Sequence, residues 1–319
     1  MRRSGSPFTG TGIVLAKEAA DQLSGTRMVV IEALVFLIAL VLAWFSTTTI
    51  RESIGQSPFL FLRLLTMAPD PIPFSFIDTV GLVTPVIAIA LGFDAVNAEF
   101  NQRTLSRILA QPIYRDALLL GKFLARLLAL AIALLSLWLL VLGVGFLRLG
   151  LPPSGEELVR MLGFLVATIA YGGVWLAVAF LFSILFRAPA TAALGALGLW
   201  LVFSFFWSLV IKPLAATLIA GPAEDIFGPN LAYIQTSQAI DRISPNTLYA
   251  EIALALLQPA TRTLGPVFIS QLRGALLGAP LPASQSFILV WPQITGLIAA
   301  MILIFAAGYV IFQRQEIRA

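Results

Sequence analysis

The chain has 319 residues, 59% of them hydrophobic and only 11% charged, with a mean hydropathy of +0.94; a soluble domain carries roughly 25% charged residues, so this composition specifies an integral membrane protein. In such a protein the balance of 20 basic against 16 acidic residues, +4, reflects loop orientation, not nucleic-acid binding. Cysteine and histidine are absent, which excludes disulfides, Cys/His zinc sites, a Ser-His-Asp triad and imidazole proton relays.

Residues 1–10 read as a flexible tail. Between Ile13 and Arg27, Ala16, Ala19, Ala20 and Leu23 recur at helical spacing opposite Lys17, Glu18, Asp21 and Gln22, which predicts a helix lying in the headgroup plane. The first span is predicted at about 28–46, long enough for a ~30 Å hydrocarbon core. Glu32 falls about one turn inside it, and an ionisable residue at that depth is a candidate intramembrane functional group. The plainer reading is a carboxylate near the interface that is hydrated or pairs with Arg27. Residues 47–75, with Pro58, Pro69, Pro71 and Pro73, read as an external loop. The second span, about 76–96, contains Pro85, which kinks it unless a neighbouring helix satisfies the freed carbonyl.

The next stretch, Asn97 to Lys122, is the longest charge-dense interval between apolar runs. As a helix it gathers Glu99, Gln102, Arg103, Ser106 and Arg107 on one side and Phe100, Leu105, Ile108 and Leu109 on the other. Pro112 ends that helix, and a second one restarts through Tyr114 and Arg115 into the third span, about 123–147. Lys122 and Arg126 stand where that span begins and are expected to snorkel to the headgroups. Ser154 is a candidate cap for the fourth span, about 158–186. The fifth, about 190–211, follows after Arg187-Ala188-Pro189, with Ala192, Ala193, Gly195, Ala196 and Gly198 suited to close packing in lipid. Residues 212–286 form a long outer loop whose stretches Tyr249–Leu257 and Val267–Leu277 are too short to cross and read as amphipathic or re-entrant helices. The last span is about 287–312. With the amino terminus in the cytosol, Arg2, Arg3, Lys17, Arg27, Arg103, Arg107, Arg115, Lys122, Arg126, Arg187, Arg314 and Arg318 share its side. The short outer loops hold only Arg51, Arg63, Arg148 and Arg160, so the positive-inside rule puts both termini and the 97–122 stretch in the cytosol.

Glu99, Thr104-Leu105, Leu109, Pro112-Ile113, Arg115 and Gly121-Lys122 together resemble a pattern found in permease subunits of type-2 ATP-binding-cassette (ABC) transporters. The branch is the one that includes the permease serving nitrous-oxide-reductase maturation, and Ser244 to Arg262 looks like its outer loop. The resemblance runs over nearly the whole chain. It departs at Arg103, where the pattern has glycine; a helix gains up to ~1 kcal/mol from that change if the site is exposed, and the partner-facing surface changes with it. The resemblance implies an all-α membrane protein of six spans, with a cytosolic coupling region at 97–122. It also implies a half-transporter, probing its ATPase subunits with that region and pairing with a second permease copy or a paralogue. ATPase contacts are expected at Glu99, Arg103, Thr104, Leu105, Arg107, Leu109, Pro112, Arg115, Gly121 and Lys122; the plainer reading of the charged ones is a solvated face beside anionic lipid.

The residues agree that ATP chemistry lies elsewhere. A P-loop ending at Lys122 would need Gly at 116 and Ser or Thr at 123, where the chain has Asp116 and Phe123. ATP and magnesium are therefore expected on a separate ATPase chain, with no cofactor, metal or catalytic residue here. The expected function is an exporter-type permease subunit of the cell membrane, and the scarcity of charge near the midplane favours an apolar or amphiphilic substrate. A secondary transporter would need midplane ion ligands, whereas Glu32, Asp94 and Arg126 lie towards helix ends. A membrane enzyme would need a buried carboxylate or Ser/Lys pair, and none is apparent.

Overall fold

A computed structural model describes residues 10–52, 59–101, 114–225, 228–262, 264 and 280–314. The described helices are α1 (Thr11–Leu23), α2 (Thr26–Glu52), α3 (Leu60–Thr66), α4 (Phe76–Gly92), α5 (Asn97–Asn101), α6 (Arg115–Leu149), α7 (Gly155–Leu185) and α8 (Pro189–Leu201). After α8 the chain continues as a π-helix (Val202–Ile211) into α9 (Lys212–Ala220). A two-residue hairpin, Glu224–Asp225 against Gly228–Pro229, precedes α10 (Leu231–Asp241), α11 (Pro245–Leu257) and α12 (Ala283–Arg314). Among the described residues, six helical stretches are long and apolar enough to cross a membrane: α2, α4–α5, α6, α7, α8–α9 and α12.

α7 is apolar on every side, and such a helix belongs in the middle of a bundle. Of its most hydrophobic stretch 83% is buried, against 11% for both α8–α9 and α12. A Cβ on Gly172 would stand 2.8 Å from both Leu130 and Thr84, so the missing side chain is what lets α4 and α6 close on α7. Its first turn carries the expected cap: Ser154 Oγ accepts from the Glu157 amide, and the Glu157 carboxylate accepts back from Ser154. Glu157 also accepts from the Phe61 amide at 2.8 Å. That bond anchors α3, whose Phe61, Leu62, Leu64 and Leu65 are fully buried. The 47–75 interval is thus not simply an external loop, because its apolar run LFLRLL folds back into the bundle.

Pro85 leaves the Gly81 carbonyl without its helical donor, and the Tyr171 hydroxyl supplies one at 3.2 Å. The fifth span departs from the regular helix expected at 190–211. Its second half is π-helical, and the helix runs on to Ala220. Of the small residues, Ala192 and Ala196 are buried, whereas a Cβ on Gly198 would meet nothing. Helix α11, within the expected outer loop, packs along the bundle. It runs antiparallel to α7, with Leu256 beside Arg160 and Asn246 beside Tyr171, and Tyr171 lies about 21 Å along α7 from its Leu185 end at 1.5 Å per residue. Arg160, counted above with the short outer loops, is completely buried at this end of the bundle. The stretch 267–277 lies outside the described residues.

Candidate functional site

The other end of the bundle, where α1 packs on the start of α6 and the C-terminal ends of α4 and α12 reach that same part of α6, holds a charged junction. Residues 102–113, and with them Arg103, Thr104, Leu105, Arg107, Leu109 and Pro112, lie outside the described residues. The chain on either side is firmly tied. At the C-terminal end of α4, where helix carbonyls lack donors, Arg27 donates to the Ala90 carbonyl at 3.1 Å and pairs with Asp94 at 2.7 Å. Arg126 Nε donates to the Leu91 carbonyl at 3.0 Å. Ser183 Oγ on α7 accepts from the amides of Val96 and Asn97 at 2.7 and 3.3 Å, and the Asn97 and Asn101 side chains donate to the carbonyls of Phe186 and Arg187. Further along the chain, α6 begins at Arg115, as one continuous helix with the third span. Asp116 in its first turn accepts from Tyr309 at 3.0 Å and from Gln313, both on α12.

Between these two anchorages lies a buried four-charge cluster. Lys122 is 3% exposed, with Nζ 2.6 Å from Glu99 Oε1 and 3.0 Å from Glu18 Oε1. The second oxygen of Glu18 takes the Arg126 guanidinium at 3.3 Å. Two cations and two carboxylates thus neutralise one another away from water, the condition under which buried charge is tolerated. Burial alone would raise the Glu18 pKa. The Lys122 and Arg126 charges outweigh it, so the carboxyl stays below its ordinary value of 4.5.

The pairing exists because α1 lies directly on α6. A Cβ on Gly121 would come within 2.8 Å of Val14 Cβ and 3.2 Å of the Thr11 carbonyl, so only glycine admits that approach, and Lys122 follows it under the α1 roof. Snorkelling of Lys122 and Arg126 to headgroups is therefore corrected: α6 starts two turns earlier than the predicted span, and α1 covers both side chains. Glu18 was assigned to the polar face of α1, yet the buried residues of that helix are Val14, Glu18 and Ala19. The spacing of Val14 and Glu18, one turn apart, carried that signal, although apolar periodicity alone could not read it.

Glu99, Gly121 and Lys122 are thus brought together, and Arg115 stands half-buried at the start of α6. Glu32 lies apart from the junction, half-buried in α2, without a hydrogen bond or ion pair among the described residues. Arg27, its expected partner, pairs with Asp94.

Among the described residues, six apolar spans, one of them the buried central helix α7, with a polar segment anchored at one end, define a multi-pass helical membrane protein. Residues 13–317 match the family described as ABC-2 family transporter protein, and the chain belongs to that family. It is 28% identical over 306 residues, 95% of its own length and 97% of the relative's, to a probable ABC transporter permease protein NosY of Stutzerimonas stutzeri. A protein of the same description from Pseudomonas aeruginosa is 32% identical over 193 residues, covering 58% of this chain and 64% of the relative. The chain is accordingly a permease-type subunit of an ABC transporter.

Proposed function

We propose that this chain is the membrane half of an ATP-driven exporter, driven by ATPase subunits on separate chains through the stretch 97–122. The observation that carries the reading is the junction: the stretch leaves and rejoins the bundle through polar contacts to α1, α4, α6, α7 and α12. A displacement imposed on it is passed to five helices at once. Within this reading Arg103, Thr104, Leu105, Arg107, Leu109, Pro112 and Arg115 form the surface offered to the ATPase, while Glu99, Gly121 and Lys122 hold that surface to the bundle. The basic excess around the junction supports a cytosolic position for it and for both termini in the cell membrane. The weakly buried α8–α9 and α12 faces are compatible with lipid or with a second permease subunit, and ATP with magnesium belongs to the ATPase.

The test is co-purification with a co-expressed ABC ATPase subunit. Reversing two charges, with Arg107→Glu and Arg115→Glu together, should reduce recovery of the complex at least about tenfold, since each lost cross-interface charge pair costs 2 kcal/mol or more. The permease itself should remain folded. Undiminished recovery of the complex overturns the assignment of this surface.

A further inference from the structure

At the end opposite the junction a cleft of about 520 Å³ opens between α4, the π-helix and α11. Its floor is aromatic and includes Tyr171, near the middle of the α7 span. The Tyr249 ring stacks on Tyr171 with centroids 4.4 Å apart, and Trp200 stands beside them. A Cβ on Gly81 would come within 3.2 Å of the Tyr249 ring, so the α4 wall is cut back where the ring enters. Three of the deep polar groups satisfy one another: Asn246 accepts from Tyr171 and donates to Ser204, each at 2.8 Å. They offer an incoming molecule a non-charged, aromatic surface.

The mouth differs. Among the described residues lining the cleft, Asp78 alone is charged. Its Oδ2 accepts from the amide and hydroxyl of Ser75, closing the α4 capping box, and its Oδ1 has no partner among the described residues. Asp78 and Leu82 also border a second, apolar groove of about 900 Å³ between α2 and α4, walled by Leu37, Val41 and Phe74. One free carboxylate oxygen thus stands on the ridge between an aromatic cleft and an apolar groove. The wall opposite is independently unusual. Ten successive residues, Val202–Ile211, are π-helical, and π geometry is seldom longer than one turn and recurs at functional sites. Ser204 of that segment is the residue held by Asn246.

We propose that this cleft binds an amphipathic amine, its ammonium on Asp78 and its apolar body against the Tyr171–Tyr249 floor. A carboxylate in apolar surroundings favours a cation over a neutral or anionic head of equal size, and the aromatic floor suits an apolar body. The site stands independently of the ATPase reading, because binding is measurable on the permease alone. Two sources share the chemistry: a membrane lipid with an amine headgroup, or a soluble amphipathic amine.

The full-length permease in phosphatidylcholine nanodiscs is exposed to dodecylamine, dodecanol or dodecyl sulfate, and retained molecules are counted by native mass spectrometry. Wild type should retain the amine about tenfold better than the alcohol, the strength of one charge-assisted hydrogen bond, and the sulfate least. Asp78→Asn keeps an oxygen for the Ser75 cap and should reduce amine retention to the level of the alcohol. Ala250→Phe, which fills the cleft without touching Asp78, should lose both; the melting temperature of each variant establishes that it is folded. Equal retention of the three probes by wild type, or unchanged amine retention in either variant, overturns the proposal. In nanodiscs that also contain phosphatidylethanolamine, a retained lipid displaced by dodecylamine identifies the membrane as the source. Amine retention without a lipid adduct identifies a soluble amine.

Discussion

Replacing Lys122 with methionine should destabilise the permease by about 3–5 kcal/mol, the cost of leaving buried carboxylates without their cation. Methionine fills nearly the same volume, so the loss is electrostatic and not a cavity. Glu99 and Glu18 lie 2.6 and 3.0 Å from the ammonium, and Glu18 also holds Arg126 at 3.3 Å. Glu99 is the carboxylate nearer to the lost charge. Adding Glu99→Gln to Lys122→Met should recover most of the lost stability, because the remaining Glu18–Arg126 pair is still neutral. Melting temperatures in detergent for the single and double variants check both statements. A double variant no better than the single one would show that Lys122 acts through packing.

The same cluster sets a pH dependence. Glu18 has a lowered pKa in the folded protein, so its contribution is complete above the ordinary value of 4.5 and is lost as the pH falls below it, through the lowered pKa. The stability contributed by the docked α1 should therefore be flat across neutral pH and decline only below the ordinary carboxyl value of 4.5. In Lys122→Met the carboxyl loses its nearer cation, so the decline should begin at higher pH than in wild type.

The six spans were legible because each is a run of apolar residues matched to the bilayer, and the family pattern at Glu99, Pro112 and Gly121-Lys122 marked the polar stretch between them. The internal pairing of that stretch was not legible. Gly121 and Lys122 read equally well as a docking motif or as a packing site, and deciding between them requires knowing that Val14 and Glu18 lie against them about a hundred residues away in sequence. Periodicity assigns faces by polarity, so Glu18 was placed outward; a carboxylate with two buried cations obeys a pairing rule that polarity cannot see. Pro85 shows the opposite case. The missing donor to Gly81 was predictable from sequence, and only the identity of its substitute, Tyr171, required the structure. The π-helical turn had no sequence signal at all, since VFSFFWSLVI reads as an ordinary apolar helix.

Arg160 provides the second large effect, at the end of the bundle that carries the cleft. Its guanidinium is completely buried and donates to the Leu256 carbonyl at 3.0 Å, Ser286 Oγ at 3.1 Å, the Leu281 carbonyl and Glu156. These acceptors belong to the C-terminal end of α11, the segment before α12, α12 itself and α7, so one side chain fastens α11 to two spans. Arg160→Met should cost about 3–5 kcal/mol by stranding several buried acceptors together. Arg160→Lys separates charge from shape: it keeps the cation but replaces a five-donor planar fork with a compact ammonium that cannot reach acceptors on opposite sides. If net charge were what matters, lysine would restore wild-type stability. The dispersed acceptors argue that it recovers less than half of the loss, and detergent melting temperatures of the two variants decide the point. Because Asn246 and Tyr249 at the other end of α11 line the amine cleft, loosening Leu256 should also weaken dodecylamine retention in Arg160→Lys, although Asp78 and the aromatic floor are chemically unchanged. Undiminished retention would mean that the contacts of Asn246 with Tyr171 and Ser204 position α11 without help from Arg160.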